Sequence, residues 1–72
     1  MILRKGTAMS KTPVELLEIA LKKEKAAYSF YERMMLQTQV EAVIKLAAQL
    51  REEEAKHVQM ITKKMAALRL GR

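Results

Sequence analysis

The chain has 72 residues, no cysteine and a formal net charge of +6. The lack of cysteine excludes disulfides, iron–sulfur clusters, zinc knuckles and a rubredoxin-type iron site. A single domain of this size buries little core, so we expect a metal ion or a partner chain to stabilise it.

The sequence gives no sign of a membrane segment. No uninterrupted apolar run approaches the roughly 20 residues that cross a bilayer. Residues 1–5 are too few and are charged too early to form a signal peptide. We therefore expect a cytoplasmic protein without a membrane partner, or the cargo of a cytoplasmic protein nanocompartment.

Most of the excess positive charge lies at the two ends of the chain, in Arg4, Lys5, Lys11, Arg69 and Arg72. Basic ends can bind nucleic acid or an acidic partner. The more ordinary interpretation is that they are solvated termini. The sequence offers no aromatic stacking platform and no recognition-helix pattern, so nucleic acid is not the partner that we expect.

The first predicted helix spans about residues 13–36 and follows a flexible basic arm, residues 1–11. Thr12 is a good N-cap, Pro13 suits the first helical position, and Glu15 completes a capping box. Residues spaced by three and four then form one stripe, typical of an amphipathic helix. Its members are Leu17, Leu21, Glu24, Tyr28, Tyr31 and Met35.

The second predicted helix spans about residues 39–68. Thr38 followed by Glu41 repeats the capping signal, and Gly71 is a stop signal just beyond the last turn. The short turn between the helices predicts an antiparallel hairpin over residues 12–70. The stripe of the second helix consists of Val43, Ala47, Leu50, Glu54, His57, Ile61, Met65 and Leu68.

Each stripe contains ionisable residues where an apolar side chain is expected. Glu54 and His57 are three residues apart, so they share one helix face. Glu24 and Glu54 stand at nearly equal heights from the turn, because each residue rises about 1.5 Å. The three side chains are therefore expected to meet between the helices. Burying unpaired carboxylates costs free energy. A metal ion that binds all three side chains would offset that cost.

Three donors are few for a catalytic iron or manganese ion, and one hairpin leaves its apolar face open. A homodimer would close a four-helix bundle and supply four Glu and two His. This is the ligand set of di-iron and di-manganese ferritin-like proteins. The fold class that we expect is therefore all-α, an antiparallel two-helix hairpin that dimerises into a ferritin-like four-helix bundle. Val40, Ile44 and Val58 flank the main stripe, which indicates that a higher oligomer can also form.

Two motifs resemble the rubrerythrin group of the ferritin-like superfamily over about residues 14–68. Glu24 with Tyr31 seven residues later resembles the first helix of that group, and residues 52–58 resemble its Glu-x-x-His helix. The half-length form is similar to encapsulated ferritins, whose two-helix subunits build the iron site across a dimer. The resemblance implies that Glu24, Glu54 and His57 are catalytic iron ligands. It also implies that Tyr31 supports the site, a role that Tyr28 could share.

The chain departs from these families in four respects. It has neither the second half of the rubrerythrin bundle nor the cysteine-ligated domain that rubrerythrins commonly carry. Lys23, Lys25 and Ala26 surround Glu24, where encapsulated ferritins tend to place extra carboxylates. Residues 67–72 form no convincing nanocompartment-targeting tail.

The function that these patterns predict is a ferroxidase or related oxidoreductase that oxidises Fe(II) with dioxygen or peroxide. Its di-iron site would hold two Fe per dimer, and manganese or zinc would be alternative metals. Two other hypotheses remain open. One is a non-enzymatic helical dimerisation module with a buried Glu/His network. The other is a binding module that acts through its basic tails.

Overall fold

The computed structural model describes residues 11–71, which form two α-helices and no β-strand. Helix α1 spans Pro13–Leu36 and helix α2 spans Glu41–Arg69. The helices run antiparallel, because Glu24 near the middle of α1 contacts His57 and Glu18 near its start contacts Arg69. The predicted all-helical hairpin is confirmed. Residues 1–10, most of the predicted basic arm, lie outside the described part.

Helix α1 begins with the capping box that its sequence predicts. The Thr12 hydroxyl oxygen accepts a hydrogen bond from the Glu15 backbone N–H at 3.1 Å, and the Glu15 carboxylate accepts one from the Thr12 N–H at 2.8 Å. Pro13 occupies the first turn, where its missing N–H costs nothing. These reciprocal bonds satisfy two of the donors that a helix start leaves unpaired.

The prediction for the start of α2 is wrong. Thr38 does not cap the helix; the N-cap is Val40, which makes no side-chain capping bond, and the helix begins at Glu41. The Thr38 hydroxyl instead accepts a hydrogen bond from the Val40 N–H at 3.1 Å. The Thr38 oxygen is engaged in this local turn with the residue two positions later. It therefore does not accept a hydrogen bond from the first turn of α2.

The stop signal after α2 agrees with the structure. The N–H of Leu70 bonds back to the carbonyls of Ala66 and Ala67, and Gly71 follows with φ of 79°. This left-handed conformation is one that glycine adopts without strain and that commonly ends helices.

The hairpin by itself has little core. Only Ala47 and Met65 are buried among the residues that the structure describes. Most other stripe residues are half-buried, and Val43 is 37% exposed. Ile44 and Val58, which were expected to lie beside the stripe and favour a higher oligomer, are half-buried within the hairpin itself. Val40, the third of these flanking residues, is 57% exposed, and the higher oligomer stays a prediction.

Neither helix is long and apolar enough to cross a membrane within the searched range, residues 11–71.

Candidate metal centre

Glu24, Glu54 and His57 converge between the two helices, as their positions in the stripes predict. Each offers one ligand atom, and the three atoms lie within 4.8 Å of one another. Glu24 lies in the middle of α1, while Glu54 and His57 are one turn apart on α2. The antiparallel pairing places residues at equal heights from the turn side by side, which is why residues distant in sequence meet here.

Both carboxylates contact the same ring nitrogen of His57. The Nδ1 atom lies 3.0 Å from Glu24 Oε1 and 3.2 Å from Glu54 Oε1. A protonated Nδ1 donates to both oxygens at once, so a single proton holds two negatively charged groups together. The imidazole therefore occupies the centre of the cluster, and the carboxylates lie on either side of its Nδ1.

The hydrogen bonds within the cluster change the proton affinity of every member. Bonds to Glu24 and then to Glu54 raise the pKa of His57 above its usual 6.5. The close approach of the two carboxyl groups lowers the pKa of Glu24 and raises the pKa of Glu54 relative to the usual 4.5, and the hydrogen bonds to His57 act to lower both. Desolvation also raises the pKa of Glu54. Because the two carboxylates lie close to each other and to His57, the pKa values of Glu54 and His57 are both raised.

The cluster is less enclosed than the stripe pattern predicts. The side chains of Glu54, Glu24 and His57 are 17%, 30% and 50% exposed. The ring of His57 lies at the edge of the interhelical seam, because two helices cover only part of each other's apolar surface. Full burial of these groups would require further protein on the open side of His57.

The two tyrosines of the first stripe lie near the cluster without bonding to it. In the described chain, neither hydroxyl forms a hydrogen bond with Glu24, Glu54 or His57. The Tyr31 ring packs edge-on against Phe30, with ring centroids 5.4 Å apart. Tyr28 and Tyr31 are both half-buried. Their predicted support of the site therefore stays a prediction, and their observed role is packing.

The contacts of Arg51 are not evident from the sequence. Its guanidinium lies 5.8 Å from the centre of the Tyr28 ring and pairs with Glu32 at 3.6 Å and Glu52 at 3.7 Å. Its Nε is buried and has no partner. Within the chain, the ion pairs of Arg51 do not include Glu24. The sequence signal that could have indicated the contact between Arg51 and Tyr28 is that the two residues stand at similar heights from the turn.

The chain matches no protein-family model, no curated protein and no solved structure. Its resemblance to rubrerythrins and encapsulated ferritins therefore stays a prediction.

The donor set fits a divalent cation in both geometry and chemistry. Ligand atoms at about 2.0–2.2 Å from a metal lie no more than roughly 4.4 Å apart, so small rotations would bring these three atoms into range. A cation near His57 Nδ1 would replace the proton there and contact both carboxylates. Two carboxylate oxygens and one imidazole nitrogen suit iron, manganese or zinc better than soft metals.

Proposed function

We propose that this chain is the half-length subunit of a ferritin-like metalloprotein whose di-iron site forms across a homodimer and oxidises Fe(II) with dioxygen or peroxide. The observation that carries this proposal is the convergence of Glu24, Glu54 and His57 on one point between two helices. Each hairpin would contribute these three residues, giving four carboxylates and two imidazoles around a pair of metal ions.

The physical state of the cluster supports a cation as its natural occupant. Two carboxylates with ligand atoms within 4.8 Å of each other repel when both are ionised, and the His57 proton compensates only part of that charge. A divalent cation would remove the repulsion and satisfy all three donors.

A second copy would supply the donors that one hairpin lacks. Iron and manganese commonly take more than three ligands, and the exposed edge of His57 leaves the cluster open on one side. A two-fold axis beside this edge would double the donor set without requiring any additional sequence. The small core of the hairpin, Ala47 and Met65, also favours association, because the monomer buries little apolar surface.

The chemistry requires no organic cofactor. When two Fe(II) ions are bound, each supplies one electron, so the pair can reduce dioxygen by two electrons. Glu24 and Glu54 would hold Fe(II) as substrate and favour its ferric product, since hard, negatively charged oxygen donors stabilise the higher charge. His57 would bind as the neutral imidazole and would need to lose its shared proton first.

The test is an anaerobic Fe(II) titration of the purified protein, with molar mass followed by light scattering and absorbance followed after air is admitted. We expect saturation near about one iron per chain, a dimer or larger species, and a ferric absorption band after air. Glu54→Ala should abolish iron binding. Glu52→Ala is the matched control, because Glu52 belongs to the same acidic run but lies outside the cluster.

A folded oligomer that takes up no iron would contradict the proposal. Glu24, Glu54 and His57 would then form an ionic network inside a dimerisation module. Equal loss of iron binding in Glu54→Ala and Glu52→Ala would also contradict it, because iron would then bind through the general acidity of the α2 surface.

A further inference from the structure

The charges of the hairpin are unevenly distributed along its length. All eight acidic residues of the chain lie at or before Glu54, and every charged residue after it is basic. Because the helices are antiparallel, this basic end of α2 lies beside the lysine-rich start of α1. The open half of the hairpin, residues 11–25 and 55–71, is therefore net positive, whereas the half beside the turn is net negative.

Four exposed lysines of the open half lie on one side of the hairpin. A groove whose lining includes Lys25 and Gln59 marks this side. At about 100° per residue, Lys22 lies about 60° from Lys25 around α1. By the same rotation, Lys56 and Lys63 lie about 60° and 40° from Gln59 around α2. The four exposed lysines are called the lysine surface below: Lys22, Lys25, Lys56 and Lys63.

The lysine surface is not neutralised by neighbouring carboxylates. Glu18 and Glu52 each lie four residues before one of its lysines, but both pair with arginines instead. Glu18 pairs with Arg69 at 3.1 Å. Glu52 pairs with Arg51 at 3.7 Å. Within residues 11–71 the ion pairs of the glutamates involve arginines and His57, so the four lysines remain available to an anionic partner.

The lysine surface faces away from the open edge of the metal-binding cluster. His57 lies about 160° from Gln59 around α2, on the opposite side of the hairpin. A second copy bound at the His57 edge, as in the proposed dimer, would leave the four lysines exposed. A partner of the lysine surface could therefore bind with or without metal.

We propose that the lysine surface binds double-stranded DNA through its phosphate groups, without reading the base sequence. The features that the sequence lacks, a stacking platform and a recognition helix, read bases, whereas contacts to phosphates require mainly cations. Lys56 and Lys63 are separated by about 10 Å of helix rise. Over that length duplex DNA carries about six phosphate charges, so each lysine can contact its own phosphate.

Duplex DNA suits this surface better than other nucleic acids. Single strands bind by stacking their bases on aromatic rings. Tyr28 in the groove is already covered by the Arg51 guanidinium, and the exposed Phe30 lies about 140° from Lys25 around α1. The major groove of duplex RNA is too narrow for side chains to enter, whereas that of B-DNA is about 12 Å wide and admits a helix. The outer face of α2 can therefore lie between two rows of DNA phosphates.

An anionic membrane is a poorer match for the lysine surface. Anchoring at a membrane interface requires a broad apolar face beside the basic residues. Within the helices of the open half, the exposed Leu16 and Ile19 lie about 180° and 120° from Lys25 around α1. This leaves Met60 as the large exposed apolar side chain beside the lysines, which is too little apolar surface for insertion.

The test measures binding of a fluorescent DNA duplex of about 20 base pairs by anisotropy, from about 50 to 200 mM salt. The metal state is the one in which circular dichroism shows a folded helical chain. We expect the logarithm of the association constant to fall with the logarithm of salt concentration at a slope of about −3.6 or steeper, because each lysine–phosphate contact contributes about −0.9. A slope shallower than about −2 would refute binding by the four lysines.

Two double variants test the two helices separately. Lys56→Gln with Lys63→Gln should weaken DNA binding at least about tenfold at about 50 mM salt and make the slope shallower by about 1.8, the share of two phosphate contacts. Lys22→Gln with Lys25→Gln should have the same effect from α1. Unchanged binding by both folded variants would show that the lysine surface is not the DNA site.

The matched control is Arg33→Gln with Lys45→Gln. It removes the same charge from exposed positions in the half beside the turn, so it should weaken DNA binding less than about threefold. An equal loss of binding in this control and in the lysine-surface variants would overturn the proposal, because binding would then follow net charge alone.

Competing ligands test the choice of partner. Duplex DNA should bind more tightly than single-stranded DNA, duplex RNA, a polyglutamate peptide and phosphatidylserine vesicles at the same concentration of anionic charge. Equal or tighter binding of any of these ligands would overturn duplex DNA as the partner. None of these outcomes bears on the proposed metal site, because the four lysines lie outside the cluster.

Discussion

Glu24 and His57 lie 33 residues apart in the sequence, yet the carboxylate oxygen of one is 3.0 Å from Nδ1 of the other. This contact joins the middle of α1 to the middle of α2. Glu54, one turn before His57 on α2, contacts the same nitrogen at 3.2 Å. A single ring nitrogen of α2 therefore contacts carboxylates from both helices, so substitution of His57 should affect metal binding and hairpin packing together.

The first prediction concerns the affinity for metal. His57→Ala should weaken Mn²⁺ binding by more than about 100-fold, because loss of outer-sphere partners alone costs about 10–100-fold. Calorimetric titration would measure the affinity. Lys56→Ala is the control, because Lys56 is an exposed neighbour outside the cluster. Similar affinities in the two variants would mean that His57 is not a ligand.

The second prediction concerns the contacts of Arg51. Arg51→Ala should lower the free energy of unfolding by about 1 kcal/mol, since a partly exposed cation–π contact and weak ion pairs each contribute about 0.2–1 kcal/mol. It should leave the Mn²⁺ affinity nearly unchanged, because Arg51 contacts neither Glu24 nor Glu54. Urea unfolding of Arg51→Ala, Tyr28→Leu and the double variant would measure their coupling.

Additive effects of Arg51→Ala and Tyr28→Leu would show that the stacking contact has no energetic role. A large fall in Mn²⁺ affinity for Arg51→Ala would contradict the separation between this contact and the cluster.

The sequence predicts the hairpin and the convergence of the cluster because both follow from regular helical repeats. A capping box marks the start of α1, and the heights of Glu24, Glu54 and His57 follow from a constant rise per residue. The turn is harder to predict. Thr38 can cap a helix or close a local turn with Val40, and the two alternatives differ by about one hydrogen bond.

The exposed fraction of each side chain is also poorly predicted from the sequence. The stripe pattern marks which residues avoid water in the assembled protein, but it does not state how many chains are needed to cover them. Leu46 and Phe30 are exposed in the hairpin, and His57 is half exposed. Arg51 shows a further limit, since its partners on α1 depend on the lateral packing of the helices as well as on height.

The third prediction compares two threonines at the helix starts. Thr12→Ala removes the hydrogen-bonded cap of α1 and should lower the free energy of unfolding by about 0.5–2 kcal/mol. Thr38→Ala should cost less, because Thr38 does not cap α2 and bonds only to Val40 within the turn. Urea unfolding of both variants under the same metal-loaded conditions would measure the difference. An equal or greater cost at Thr38 would contradict the observed helix start.

The fourth prediction concerns pH and begins with the metal-free protein. Hydrogen bonds to Glu24 and Glu54 raise the pKa of His57, so its stabilising contribution is complete below the unfolded value near 6.5 and is lost as pH rises through the higher folded value. The raised pKa of Glu54 acts in the same direction. The lowered pKa of Glu24 acts oppositely, since its contribution is present above 4.5 and is lost as pH falls through the lower folded value.

The metal-free protein should therefore be most stable in mildly acidic solution and should lose stability as pH rises above neutrality. Metal affinity should change in the opposite direction, because a cation must displace the protons that the cluster holds. Thermal unfolding in chelator and Mn²⁺ titration, each across the same pH range, would measure both trends. His57→Gln should reduce the loss of metal-free stability at high pH, because glutamine does not titrate. Parallel pH trends for stability and metal affinity would show that protons and metal do not compete for His57.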